Sequence, residues 1–270
     1  MTIVLSKTAD LSAKIRWWLL LILIIVAPFH AFLITWLKSA TVFENGSFGN
    51  VLFLISAWRE IIFVLIGLLI VVELGINRLK VTFDYLDLLI FLYFVLSLIW
   101  FFIQPDKLQW LWGFRFDVLP FLFLFFVRRV NWQHTGALIK TAHASAAIVV
   151  IFGLLHSTIL PQNFLENFGY GIYQGAYRPD TPIAACQYLE HSSSACRAIS
   201  TFGGPTRYGT YLLLIMGLLL PFIITRNKFW KPAIGILILT VINIILTYSR
   251  SIWIGTAIAA LATSLILFVR

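Results

Sequence analysis

The chain has 270 residues, 60% of them hydrophobic and only 11% charged. A soluble domain of that length cannot cover its core with so few charges, so the surplus apolar surface has to face lipid. The net charge of +9 comes from 20 Lys and Arg against 11 Asp and Glu. These cations stand singly or in pairs between apolar blocks, a pattern of topology signals that excludes a nucleic-acid footprint.

A spanning helix needs roughly 20 mostly apolar residues. The first such run is 17–37, closed by Lys38. It is too long for a signal-peptide core and no small-residue cleavage site follows it, so it reads as an uncleaved anchor. A short segment, 39–56, carries Asn45-Gly46 as a turn signal. The second span is 61–76 and ends at Asn77-Arg78-Leu79-Lys80. The third, 86–103, stops at Gln104-Pro105-Asp106, and the fourth, 108–127, contains Arg115 and Asp117 and ends at Arg128-Arg129. The fifth is 136–160, with Lys140 near its start. A single long polar segment, 161–207, precedes the sixth span, 208–225, which Arg226-Asn227-Lys228 closes. The seventh and eighth are 232–248 and 252–269. The predicted fold is therefore all-α and polytopic, one membrane domain over 1–270 with about eight transmembrane helices.

Orientation follows from the cations in alternate short connections. Lys7, Lys14, Arg16, Arg78, Lys80, Arg128, Arg129, Lys140, Arg226, Lys228, Lys231 and Arg270 fall on one side; Lys38, Arg59, Lys107, Arg115 and Arg250 fall on the other. The richer side is inside, which puts both termini in the cytoplasm and the 161–207 loop outside.

The cations that break this rule are the informative ones. Arg115 lies within an apolar stretch, Arg250 sits in Thr247-Tyr248-Ser249-Arg250-Ser251, and Arg197 and Arg207 bracket the segment ahead of the sixth span. An arginine near mid-membrane is costly and usually faces a polar cavity or a partner. Several converging on the outer face would make a polyanion site, because the planar guanidinium donates paired hydrogen bonds to phosphate and stays charged. The plainer reading is that each snorkels to the head groups. Arg115 and Asp117 are two apart, which places them on different faces of a helix. His30, His143 and His156 read as packing residues with their polar atoms satisfied, His134 falls on the cytoplasmic side, and His191 in the loop is a weak candidate base. Cys186 and Cys196, ten apart in an outside loop, can form a disulfide; closing so short a loop is worth about 2–3 kcal/mol. Only Glu190 and His191 stand near them, too few ligands for a metal site.

Three stretches resemble the O-antigen ligase and polymerase family of bacterial envelope glycosyltransferases. Arg197-Ala-Ile-Ser-Thr-Phe-Gly-Gly-Pro205-Thr-Arg-Tyr-Gly209-Thr-Tyr-Leu212 is similar to the family's Arg, Gly-Thr-Phe and Pro-Asn approach to a helix. Leu246-Thr-Tyr-Ser249-Arg250-Ser251-Ile-Trp-Ile-Gly255 resembles its Ser-Arg-Ser signature. Arg115-Phe-Asp-Val-Leu-Pro120, with Trp58-Arg59-Glu60, resembles its N-terminal half. The resemblance implies a GT-C-like enzyme of the bacterial inner membrane that uses no metal or other cofactor. It would move a glycan from an undecaprenyl-diphosphate carrier to a glycan or lipid acceptor on the outer face. Arg197, Arg207, Arg250 and Arg115 would hold the diphosphate. Family members continue into a large outer loop whose His is proposed as base. No counterpart stands before Arg270, so the resemblance covers the N-terminal two-thirds of the family and the catalytic residue stays unassigned. On that footing this stretch alone is expected to be inactive. A transporter or flippase with an outer anion site remains open, as does a non-catalytic membrane subunit. Helices interrupted at mid-membrane would favour transport, and no matched pair of broken segments stands out in the sequence.

Overall fold

A computed structural model describes residues 2–41, 55–77, 83–130, 135–171, 183–189, 192–226 and 228–268. The Asn45-Gly46 turn, Arg78, Lys80, His134, Glu190, His191 and Arg270 lie outside the described residues.

In lipid every backbone N–H and C=O must be satisfied within its own segment, and the apolar runs accordingly form helices. Helix α1 (Thr2–Val26) passes through a 3₁₀ turn (Ala27–Phe29) into α2 (His30–Thr41). Pro28, which offers no N–H to an α-helix, is buried in that turn. Next come α3 (Trp58–Asn77), α4 (Tyr85–Ile103) and α5 (Lys107–Gly113). A π-helical turn (Phe114–Val118) joins α5 to α6 (Leu119–Val127). Helix α7 spans Thr135–Thr158, and the polar segment after it holds a 3₁₀ turn (Phe164–Phe168) and a small antiparallel hairpin of β1 (Tyr188–Leu189) and β2 (Ser192–Cys196). Helices α8 (Pro205–Ile224), α9 (Trp230–Leu246) and α10 (Arg250–Phe268) complete the chain. Among the described residues five stretches, Leu11–Ala40, Tyr85–Ile103, Lys107–Val127, Thr135–Thr158 and Pro205–Ile224, are long and apolar enough to cross a membrane, and α9 and α10 are shorter apolar helices. The protein is an all-α polytopic membrane protein.

The helices pack as two compact units, Met1–Leu23 with Phe53–Leu138, and Ile24–Leu52 with Ile139–Arg270. In the first unit α3 and α6 run side by side in the same direction. Phe63 stacks on Phe123 at 4.4 Å, and one turn further on Phe126 covers Gly67. Helix α4 runs the opposite way. Its first turn is tied to the end of α6 by Arg129–Asp87 at 2.8 Å and Arg128–Asp87 at 3.2 Å, while Arg128 also meets Asp84 at 2.5 Å. Asp84 and Asp87 also cap α4 reciprocally, each carboxylate accepting from the other's backbone N–H. At the other end of the unit, Arg115 pairs with Glu60 in the first turn of α3, Nη2 donating to Oε2 at 3.1 Å and Nε lying 2.8 Å from Oε1. Arg16 pairs with Glu73 in the same unit.

The second unit is assembled without a hydrophobic force between helices, since lipid tails are as apolar as leucine. Close backbone approach and polar contacts do that work. Gly209 of α8 meets Ile252 of α10, and Leu213, one turn on, meets Gly255, so these helices lie together and parallel. Gly153 of α7 faces Tyr208 and Asn243. Asn243, fully buried, donates from Nδ2 to the carbonyls of Val150 and Leu239, both at 2.9 Å. Val149, Val150, Leu212, Ile215 and Leu219 fill the space between.

Candidate functional site

One face of the second unit gathers the end of α7, the start of α8, the end of α9, the start of α10 and the polar segment between α7 and α8. Because α8 and α10 are parallel and in contact at Gly209 and Ile252, their N-termini lie together on this face. Each N-terminus carries free N–H groups and a partial positive charge, which favours anions.

The arginines singled out in the sequence take different places here. Arg207 is in the first turn of α8 and exposed, with Nη1 folded back beside Gly203. Arg250 is the first residue of α10 and also exposed. Neither forms an ion pair among the described residues. A cation in the first turn opposes the helix dipole, and two of them on neighbouring N-termini add positive charge where free N–H groups already favour anions.

Arg197 is engaged by the backbone at the end of α9. Its Nε donates to the carbonyl of Thr247 at 2.9 Å and its Nη2 to that of Tyr248 at 3.4 Å. The backbone N–H of Ala198 adds a bond to the Leu246 carbonyl at 2.9 Å. These are the carbonyls that α9 leaves without helical partners at its C-terminus, where a cation is favoured. Tyr248 sits at φ 48°, a left-handed conformation costly for a residue with a Cβ. Arg197 therefore holds the turn that presents Ser249 and Arg250. Ser200, at φ 50°, is fixed similarly, its hydroxyl donating to the Val149 carbonyl at 2.8 Å, and Thr201 donates to Pro28 at 2.8 Å.

Arg115 belongs to the first unit, and its charge is balanced by Glu60 rather than by Asp117; its Nη2 also donates to the Ser56 carbonyl at 2.7 Å. The π turn rotates Asp117 out to an exposed position along a cleft with Trp100, Trp110 and Trp112.

Cys186 and Cys196 are joined by a disulfide, with Cα atoms 5.5 Å apart. It fastens the segment 183–189 against β2. A cleft of about 440 Å³ lies on this segment, lined by Gln162, Asn163, Glu166, Gly171, Ala185, Cys186 and Tyr188. Beneath it Leu165, Tyr170, Ala185 and Ile199 form a buried floor, and burial pushes the Tyr170 phenol well above its ordinary value, so it stays neutral.

His143 packs as the sequence leads one to expect, Nδ1 lying 2.7 Å from the Ile139 carbonyl and the ring edge-on to Phe222. His156 departs from that expectation: it is 2% exposed, stacks on Phe152, and neither ring nitrogen has a partner among the described residues. Among the described residues no group of three or more His, Cys, Asp or Glu is placed to hold a metal ion. The roles of Gly209 and Ile252 were missed in the sequence, where nothing pairs the two positions. Glu166 and Tyr188 were also missed, being ordinary polar loop residues.

No family model, curated protein or solved structure matches this chain.

Proposed function

We propose that the paired N-termini of α8 and α10 hold the diphosphate of a lipid-linked glycan. On this reading the protein serves transfer of that glycan from an undecaprenyl-diphosphate carrier to a glycan or lipid acceptor. The observation that carries the reading is the side-by-side placement of two helix N-termini. Each has an exposed arginine in its first turn with no ion-pair partner among the described residues. Two cations and two sets of backbone N–H groups suit two linked phosphates. The opposite ends of α8 and α9 are joined through Arg226, Lys228 and Lys231. The positive-inside rule then makes that end cytoplasmic and the arginine face outer, in a bacterial inner membrane. An acceptor hydroxyl would attack the anomeric carbon and the bond to the diphosphate would break, the leaving oxygen taking the electron pair. Charge grows on that oxygen, where preorganised donors stabilise the transition state. A general base takes the hydroxyl proton, and no described residue is assigned to it.

The test is transfer of labelled glycan in membranes expressing the gene in its natural context. Arg250→Ala should cost roughly 100-fold or more with unchanged protein in the membrane. Wild-type transfer by that variant would sink the assignment.

Transport is a second reading with an observation of its own. Two spans are interrupted near their middles, Leu11–Ala40 by the 3₁₀ turn at Pro28 and Lys107–Val127 by the π turn. Acceptor-independent movement of an uncleaved lipid-linked glycan across reconstituted vesicles would favour it.

A further inference from the structure

We infer that the cleft beside the disulfide is a saccharide subsite, which rests on the reading of the loop face given above and assigns it a place for the glycan itself. Three observations converge. The first is the chemistry of the walls. Asn163 and Gln162 offer amide donors and acceptors, Glu166 offers a carboxylate, and Tyr188 is 40% exposed with its ring available for stacking. Neighbouring sugar hydroxyls each donate and accept, so they match amides and a carboxylate, while the apolar C–H face of a sugar ring matches an aromatic face. Glu166 disfavours an anion, so the cleft is not a second diphosphate site.

The second observation is that the walls are braced before any ligand arrives. The 3₁₀ turn carrying Asn163 and Glu166 ends at Gly169, whose φ of 82° and closeness to Ser39 leave no room for a side chain. The facing wall is stitched by Gly171 N–H to the Ile183 carbonyl and Ala185 N–H to the Gly171 carbonyl, both at 2.8 Å, and by the disulfide at Cys186. Tyr188 Oη donates to Gln162 Oε1 at 3.3 Å across the cleft. Preorganised walls lower the cost of binding, and the volume of about 440 Å³ falls in the range of small-ligand clefts.

The third is location. Ala185, Cys186 and Tyr188 line the cleft, while Gln187 lies against Gly204 and Ile183 against Gly203. The segment 183–188 thus touches both the cleft and the start of α8, which places the cleft beside the helix terminus that would hold the diphosphate.

The test uses the protein purified in a phosphocholine micelle, free of sugar head groups, and a panel of neutral oligosaccharides built from hexose, N-acetylhexosamine and deoxyhexose. Saturation-transfer NMR reads binding. Wild type should bind at least one member, Tyr188→Ala and Glu166→Gln should each bind roughly tenfold more weakly, and Tyr188→Phe should keep most of the signal. Because these oligosaccharides carry no phosphate, their binding reports on the cleft alone, while retention of a diphosphate lipid reports on the helix N-termini, so the two readings can fail separately. No signal from any oligosaccharide with wild type, or a signal that Tyr188→Ala does not move, would overturn the inference.

Discussion

Gly209→Ala is the substitution that bears most directly on how the two helix N-termini are held together. A Cβ built on Gly209 falls 2.5 Å from Ile252 Cγ1 and 2.9 Å from Cγ2. Optimal carbon contacts are about 3.5–4.0 Å, so the start of α10 must retreat or Ile252 must leave its well. Ile252 is 5% exposed and cannot simply swing into open space. Overpacking of this kind costs about 1–3 kcal/mol. The change should lower the thermal midpoint in lipid nanodiscs and weaken binding of a diphosphate lipid, since both arginines ride on the displaced turns. Ile252→Ala removes the three atoms nearest the new methyl, so in that background Gly209→Ala should cost much less. A coupling of about 1 kcal/mol or more is expected from the double-mutant cycle. If Gly209→Ala is as stable as wild type, or if the two changes simply add, the close parallel contact is not there.

Glu60→Ala leaves Arg115 without its counter-ion in a site where both side chains are largely buried, and should destabilise by about 3–5 kcal/mol. Glu60→Ala with Arg115→Met should recover much of that loss, as read by the thermal midpoint in the same nanodiscs. Arg197→Ala strips the α9 terminus of its guanidinium and should lower both stability and diphosphate binding. Arg250→Ala should lower binding while shifting the midpoint little, because Arg250 is exposed. The Arg128 guanidinium beside Asp84 holds its carboxyl at about 2, below the ordinary 3.8. A lowered folded value means that this contribution to stability is complete above the ordinary value and fades as pH falls toward about 2. Unfolding measured across that window should show a fall that Asp84→Asn lessens; an identical profile in the variant would refute the linkage.

Much of the architecture was legible because lipid leaves a chain few options. Apolar length alone placed the span starting near residue 208, and the helix begins three residues earlier only because Pro205 fits a first helical turn. The loop and its two cysteines were visible as a break in hydropathy. The site was legible only in part. Charge out of place pointed to Arg197, Arg207, Arg250 and Arg115, yet a sequence does not say which acceptor a guanidinium will find. Arg197 found the orphan carbonyls of α9 and Arg115 found Glu60, fifty-five residues away. The π turn at Phe114–Val118 left no mark in the hydropathy, because one extra residue in a turn changes no composition. Pro28, at the other interruption, was passed over when 17–37 was read as one unbroken span. The cleft depends on a positive-φ glycine and on a disulfide-held segment, which become informative only once the segments meet.

The most direct test of the central claim is native mass spectrometry of the protein with undecaprenyl diphosphate and undecaprenyl phosphate. The wild type should retain the diphosphate lipid in preference to the monophosphate. The Arg207→Ala/Arg250→Ala double variant should lose that preference while binding ordinary phospholipid as before. Equal retention of the two lipids by wild type, or an undiminished preference in the double variant, would contradict an anion site at the paired helix N-termini.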